Sequence, residues 1–66
     1  MTDRKYSLKE LRARKGETQA ETAHNLGVSL TTYNNWEKDI SNVAVSKVMT
    51  VAEYFGVTIG DIFFTN

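Results

Sequence analysis

The sequence predicts an all-α domain of five short helices. Three observations carry that prediction. Residues suited to open a helix recur at Ser7, Thr18, Ser29 and Thr58, and Ser7 and Thr18 are each followed three positions later by glutamate, the capping-box pattern. Glycines at 16, 27 and 56 stand where helices must stop, because glycine takes left-handed backbone at little cost. Apolar residues recur with helical period, most fully at Val45, Val48, Met49, Ala52 and Phe55.

In chain order, residues 1–6 are polar and read as a flexible arm, with one domain over 7–64. Ser7 and Glu10 open the first helix, which Gly16 ends. Leu8, Leu11 and Lys15 share a face there, with Arg12 beside it. A guanidinium so placed has a partly buried stem and needs a paired acceptor. The second helix spans Gln19–Leu26, opened by the Thr18–Glu21 box, and its apolar face is thin: Ala20, Ala23 and Leu26. Thr22 lies on this helix too: a hydroxyl buried without a partner costs ~1–3 kcal/mol, and the Thr18 carbonyl is within reach of this one.

Only Gly27 and Val28 separate the second helix from a third, which Ser29 opens. So short a connection turns the third helix sharply against the second. At about 100° per residue, Thr32, Tyr33, Trp36 and Glu37 fall on one side of it and Leu30, Thr31, Asn34, Asn35 and Lys38 on the other. The first side carries both aromatics; the second is mostly short polar groups with a terminal cation. Such a face is either plain solvated surface or one that meets base edges in a DNA major groove.

A fourth helix runs from Ala44 or Val45 to Phe55. Its β-branched content (Val43, Val45, Val48, Val51) lowers helix propensity and leaves a strand over 43–51 as the competing reading. Lys47, in the alternating apolar register, argues against the strand. Thr58 and Asp61 frame a fifth helix with Ile59, Ile62 and Phe63 inward. Phe63 and Phe64 are adjacent and cannot share a direction on a helix. An exposed aromatic near Ile59 or Ile62 makes Phe64 and Ile62 candidate dimer contacts; the alternative is a terminal side chain folded onto its own core.

Composition narrows the function classes. Sixty-six residues make one domain, and a chain this short buries only about 60% of its unfolded surface. Without cysteine there are no disulfides and no thiolate metal sites. His24, the single histidine, reads as a surface residue, so neither metal nor cofactor is expected. No apolar run approaches the ~20 residues of a membrane span, and the N-terminus lacks the apolar core of a signal peptide, which makes a cytoplasmic protein the default. An enzyme is not expected: there is no glycine-rich phosphate loop, and little room for a dry pocket. Net charge is zero, but residues 1–16 hold six cations against two anions and residues 17–66 hold two against six. Such poles allow a locally basic face, or are simply solvated helix surface.

The stretch over residues 18–37 resembles the Cro/repressor (XRE-type) helix-turn-helix family, the lambda-repressor-like domains. The matching residues are Gln19, Ala20, Glu21, Ala23, Leu26, Gly27, Val28, Ser29, Tyr33, Trp36 and Glu37. The likeness extends to the segments 8–16 and 51–63 and so covers nearly the whole chain. It implies sequence-specific binding of double-stranded DNA by a small bacterial or phage transcriptional regulator, dimeric on an imperfect palindrome with half-sites about one helical turn apart. Leu30, Thr31, Asn34 and Asn35 are the expected base contacts, with Ser29 at their margin. Gln19, Lys38 and Asn42 are the expected phosphate contacts, with Ser41 also in reach; Arg4 and Lys5 either reach phosphates as an arm or contact nothing. The resemblance also pairs Arg12 with Glu37, structurally rather than on DNA.

The chain departs from the family pattern at three places. Thr22 replaces a large aliphatic residue, Asp39 a glycine and Val43 a proline. Aspartate tolerates left-handed backbone better than most residues, but a carboxylate at 39 repels phosphate. With no sensor domain within the 66 residues, a Cro-like repressor is favoured over a ligand-responsive one. The alternative is a protein-binding module, such as an antitoxin or a partner that neutralises another regulator, which the zero net charge and Thr22 suit.

Overall fold

The computed structural model of the protein describes residues 5–62. Four α-helices follow one another: α1 (Leu8–Lys15), α2 (Gln19–Leu26), α3 (Leu30–Lys38) and α4 (Val45–Phe55), and a single 3-10 turn, Ile59–Asp61, closes the order. The local signals behave as their chemistry demands. Ser7 and Thr18 each accept from the amide three residues on, and Glu10 and Glu21 reach back to the cap amides. Gly16, Gly27 and Gly56 end α1, α2 and α4 in left-handed geometry, at φ 71°, 75° and 74°.

The fifth helix is not formed; one 3-10 turn stands in its place. Ile62 is already extended (φ −96°, ψ 132°) because it bridges to Tyr6. The Tyr6 amide donates to the Asp61 carbonyl at 2.8 Å, and the Lys5 ammonium to the Gly60 carbonyl at 2.8 Å. Of the expected N-terminal arm, Lys5 and Tyr6 are therefore tied to the turn after α4; Arg4 lies outside the described residues.

α1 packs on α3 and α4, α2 on α3, and the 3-10 turn on α4. Leu8, Leu11, Ala23, Tyr33, Ile40, Val48, Val51, Ala52 and Ile62 are the buried apolar core. Two faces differ from those expected. On α4 the buried stripe is Val48, Val51 and Ala52 with Phe55 partly buried, while Val45 and Met49 are 65% and 51% exposed. The period is right, but the stripe starts at Val48. On α2, Ala20 faces solvent and Thr22 is fully buried. Ile62, expected near a dimer surface, is also fully buried, because the bridge to Tyr6 holds it inward. Phe63 and Phe64 lie outside the described residues.

Candidate nucleic-acid interface

α3 is held by its inward side. Tyr33 is fully buried, and its ring meets that of partly buried Trp36 edge-on, centroids 6.5 Å apart. The outward side carries Leu30, Thr31, Asn35 and Lys38 exposed, with Asn34 half-buried. The helix thus presents an aliphatic side chain, a hydroxyl, two carboxamides and a cation in one strip. Ser29 is less available than its neighbours: its hydroxyl accepts from the Thr32 amide at 3.0 Å and donates to the Thr32 hydroxyl at 2.9 Å.

The end of α3 is fixed to two other helices through Glu37. Arg12 Nε donates to Glu37 Oε2 at 2.6 Å, and Gln19 Nε2 to Glu37 Oε1 at 2.9 Å. Arg12 Nη1 also donates to the Glu17 carbonyl at 2.9 Å. The Glu37 side chain is only 7% exposed. Desolvation favours its neutral form, but the Arg12 and Gln19 hydrogen bonds and the Arg12 charge outweigh that and hold the carboxyl below its ordinary range. Its bond to Glu37 raises Arg12 in turn. The Tyr33 hydroxyl is buried beside this cluster with no partner in hydrogen-bonding geometry among the described residues, and desolvation pushes its pKa up. Glu37 therefore joins α1, the start of α2 and the end of α3, which sets the angle at which α3 is offered.

The start of α2 lies beside this junction. The Thr18–Glu21 box engages the amides of Thr18 and Glu21 and leaves those of Gln19 and Ala20 at the helix start. Free amides there suit an anion. Gln19 retains one amide hydrogen after bonding Glu37.

Sequence reasoning missed a second polar cluster. The Glu17 carboxylate accepts from the Tyr54 hydroxyl at 2.7 Å, the Thr22 hydroxyl at 2.7 Å and the Asn25 amide at 3.2 Å. The Thr22 hydroxyl thus bonds Glu17 and not the Thr18 carbonyl, so its burial leaves no unpaired hydroxyl. The bonds from Tyr54 and Thr22 lower the Glu17 carboxyl. Buried Thr22 implied some acceptor, but nothing local points to Tyr54 on α4. The loop after α3 also differs. Asp39 is extended (φ −163°, ψ 112°) and not left-handed, because its carboxylate turns onto Ser41. Ile40 is buried between them, while Asn42 is exposed.

Four described cations of the basic N-terminal segment, Lys5, Arg12, Arg14 and Lys15, are engaged away from the outward strip of α3. The Arg14 guanidinium lies over the Tyr6 ring and the Lys15 ammonium over the Tyr54 ring, 5.0 and 4.6 Å from the centroids. Arg12 is spent on Glu37. On the α3 surface the cation is Lys38, which is exposed and makes no side-chain hydrogen bond or ion pair among the described residues. No group of histidine, aspartate and glutamate among them is arranged to hold a metal ion, and no helix is long and apolar enough to cross a membrane.

A family model described as helix-turn-helix matches residues 8–62, from the start of α1 to Ile62, just past the 3-10 turn. No curated protein gives a significant match.

Proposed function

Because the chain belongs to the Cro/repressor (XRE-type) helix-turn-helix family of DNA-binding regulatory domains, we propose that it binds duplex DNA sequence-specifically as a small transcriptional repressor, with α3 in the major groove. The observation that carries this reading is the outward strip of α3 on a helix whose end is locked by Glu37. Asn34 and Asn35 bond base edges, an asparagine being able to pair bidentately with adenine. Leu30 packs on a thymine methyl, and Thr31 bonds a base or sugar, with Ser29 at the edge of the contact. Gln19 and the amides at the start of α2 hold one phosphate; Lys38 and Asn42 hold others. The protein acts where the chromosome lies, in the cytoplasm or nucleoid, as a homodimer on an imperfect palindrome.

Scarce cations set a quantitative expectation. Each phosphate charge neutralised contributes about −0.9 to the slope of log affinity against log salt. One Lys38 from each of two copies gives a slope of about −2, whereas a slope of −6 or steeper contradicts this contact set. The functional test is substitution of Asn34→Ala and Asn35→Ala, read by fluorescence anisotropy on a selected site with helicity checked by circular dichroism. Loss of specific binding by folded variants supports the reading; unchanged binding refutes it.

A second reading has an observation of its own. Val45 and Met49 leave apolar surface exposed on α4, which suits a protein partner or a second copy. A protein-binding module would keep its function in the Asn34 and Asn35 variants and lose it with Val45→Lys or Met49→Lys.

A further inference from the structure

In the loop after α3 two donors of Ser41 are held by the chain's own Asp39 carboxylate. Ser41 donates both its amide, at 2.9 Å, and its hydroxyl, at 2.6 Å, to one carboxylate oxygen of Asp39. Two donors converging on one anionic oxygen form the kind of seat a phosphate oxygen takes. Ile40, between them, is buried at 2% exposure and pins the loop to the core. Asp39 and Ser41 are themselves exposed.

Position makes the seat relevant to DNA. A helix of nine residues is about 13 Å long, close to the roughly 12 Å width of the major groove. When such a helix lies across the groove, the residues just past its end meet the phosphate wall. Asp39 and Ser41 are those residues, directly after Lys38.

We propose that the Asp39 carboxylate is an internal stand-in for a DNA phosphate, holding the Ser41 donors in the free protein and yielding them to the DNA backbone on binding. This rests on the DNA-binding reading above and adds a brake to it. Affinity is held down twice, because the carboxylate must leave its seat and its charge then stands near the phosphate that replaces it. The Ser41 hydroxyl and amide bonds hold the Asp39 carboxyl below its usual range, so the brake stays ionised through the neutral range. No cation pairs with Asp39 among the described residues, so the charge is not cancelled locally. The extended backbone at 39 suits any residue, and a substitution there introduces no strain.

Two variants separate charge from geometry. Asp39→Asn keeps an acceptor for the Ser41 amide and removes only the charge, while Asp39→Ala empties the seat. Both are measured with the whole chain by anisotropy on a mixed-sequence duplex at low salt and again at physiological salt. The expected result is about fivefold tighter binding by Asp39→Asn, from one removed repulsion at contact distance, and a larger gain by Asp39→Ala, whose seat is also vacated, with both gains shrinking as salt rises. Ser41→Ala placed in the Asp39→Ala background should give back at least half of the latter gain. Binding by Asp39→Asn no tighter than that of the unsubstituted chain overturns the proposal. A gain that survives Ser41→Ala in full also overturns it, leaving simple repulsion. If neither the unsubstituted chain nor any variant binds duplex DNA, the DNA-binding reading falls and this inference with it.

Discussion

Replacing Glu37 by glutamine removes one charge at the junction of three helices and keeps the side chain's size. Severing a buried ion pair costs about 3–5 kcal/mol. Here the figure must be reduced. Arg12 is 16% exposed, so water screens part of the loss. It also keeps its bond to the Glu17 carbonyl, and the glutamine oxygen can still accept from Arg12 or Gln19. About 2 kcal/mol remains. A domain of 66 residues has roughly 3–10 kcal/mol in total, so the loss is a fifth to two thirds of its stability. At about 4–8 °C per kcal/mol, the thermal midpoint should fall by about 8–16 °C. With a urea slope of about 1 kcal/mol per molar, the urea midpoint should fall by about 2 M.

The same variant has a pH signature. The Glu37 carboxyl is held below 4.5 in the folded chain, so its stabilisation is present above the unfolded value and is lost as pH falls through the folded one. The gap between the unsubstituted chain and Glu37→Gln should therefore be full at pH 7 and close below about pH 4.5. Urea titrations of both chains across that range read it directly. An unmoved midpoint at pH 7, or a gap that stays constant into acid, refutes the argument that this ion pair ties α1 to α3.

Other substitutions follow from the same geometry. Thr22→Val and Tyr54→Phe each remove one donor from Glu17 and should each cost about 1 kcal/mol. Because both act on one carboxylate, their double-mutant cycle should show coupling of at least about 0.5 kcal/mol, and additivity would contradict the shared acceptor. Ser29→Ala removes the cap of α3 and should cost about 1 kcal/mol by urea unfolding. For Gly27→Ala a Cβ meets nothing within 4 Å, so its cost is the positive φ alone, about 1 kcal/mol; a loss above about 3 kcal/mol would mean that packing is involved.

Local chemistry was what the sequence made legible. The boxes at Ser7–Glu10 and Thr18–Glu21 and the glycine stops each involve residues within one turn of one another, and all took the geometry their side chains favour. The division of α3 into an aromatic inner side and a polar outer side was legible for the same reason. What stayed hidden depends on partners distant in the chain. Tyr54 meets Glu17 from 37 positions away, and no period announces that bond. The α4 stripe shifted because Val51, left out of the expected pattern, is buried while Val45 and Met49 are not. The last helix shrank to one turn because Ile62 is taken by Tyr6, a contact between the two ends of the chain. Asp39 was read from backbone preference alone, whereas its side chain's attraction to Ser41 decided the loop.

Selection from a random duplex DNA library at physiological salt, followed by sequencing, tests the central claim most directly. The expected result is an enriched two-fold motif whose half-sites lie about one helical turn apart. A folded, helical protein that enriches no sequence contradicts it and moves the search to a protein partner for the exposed Val45 and Met49 on α4.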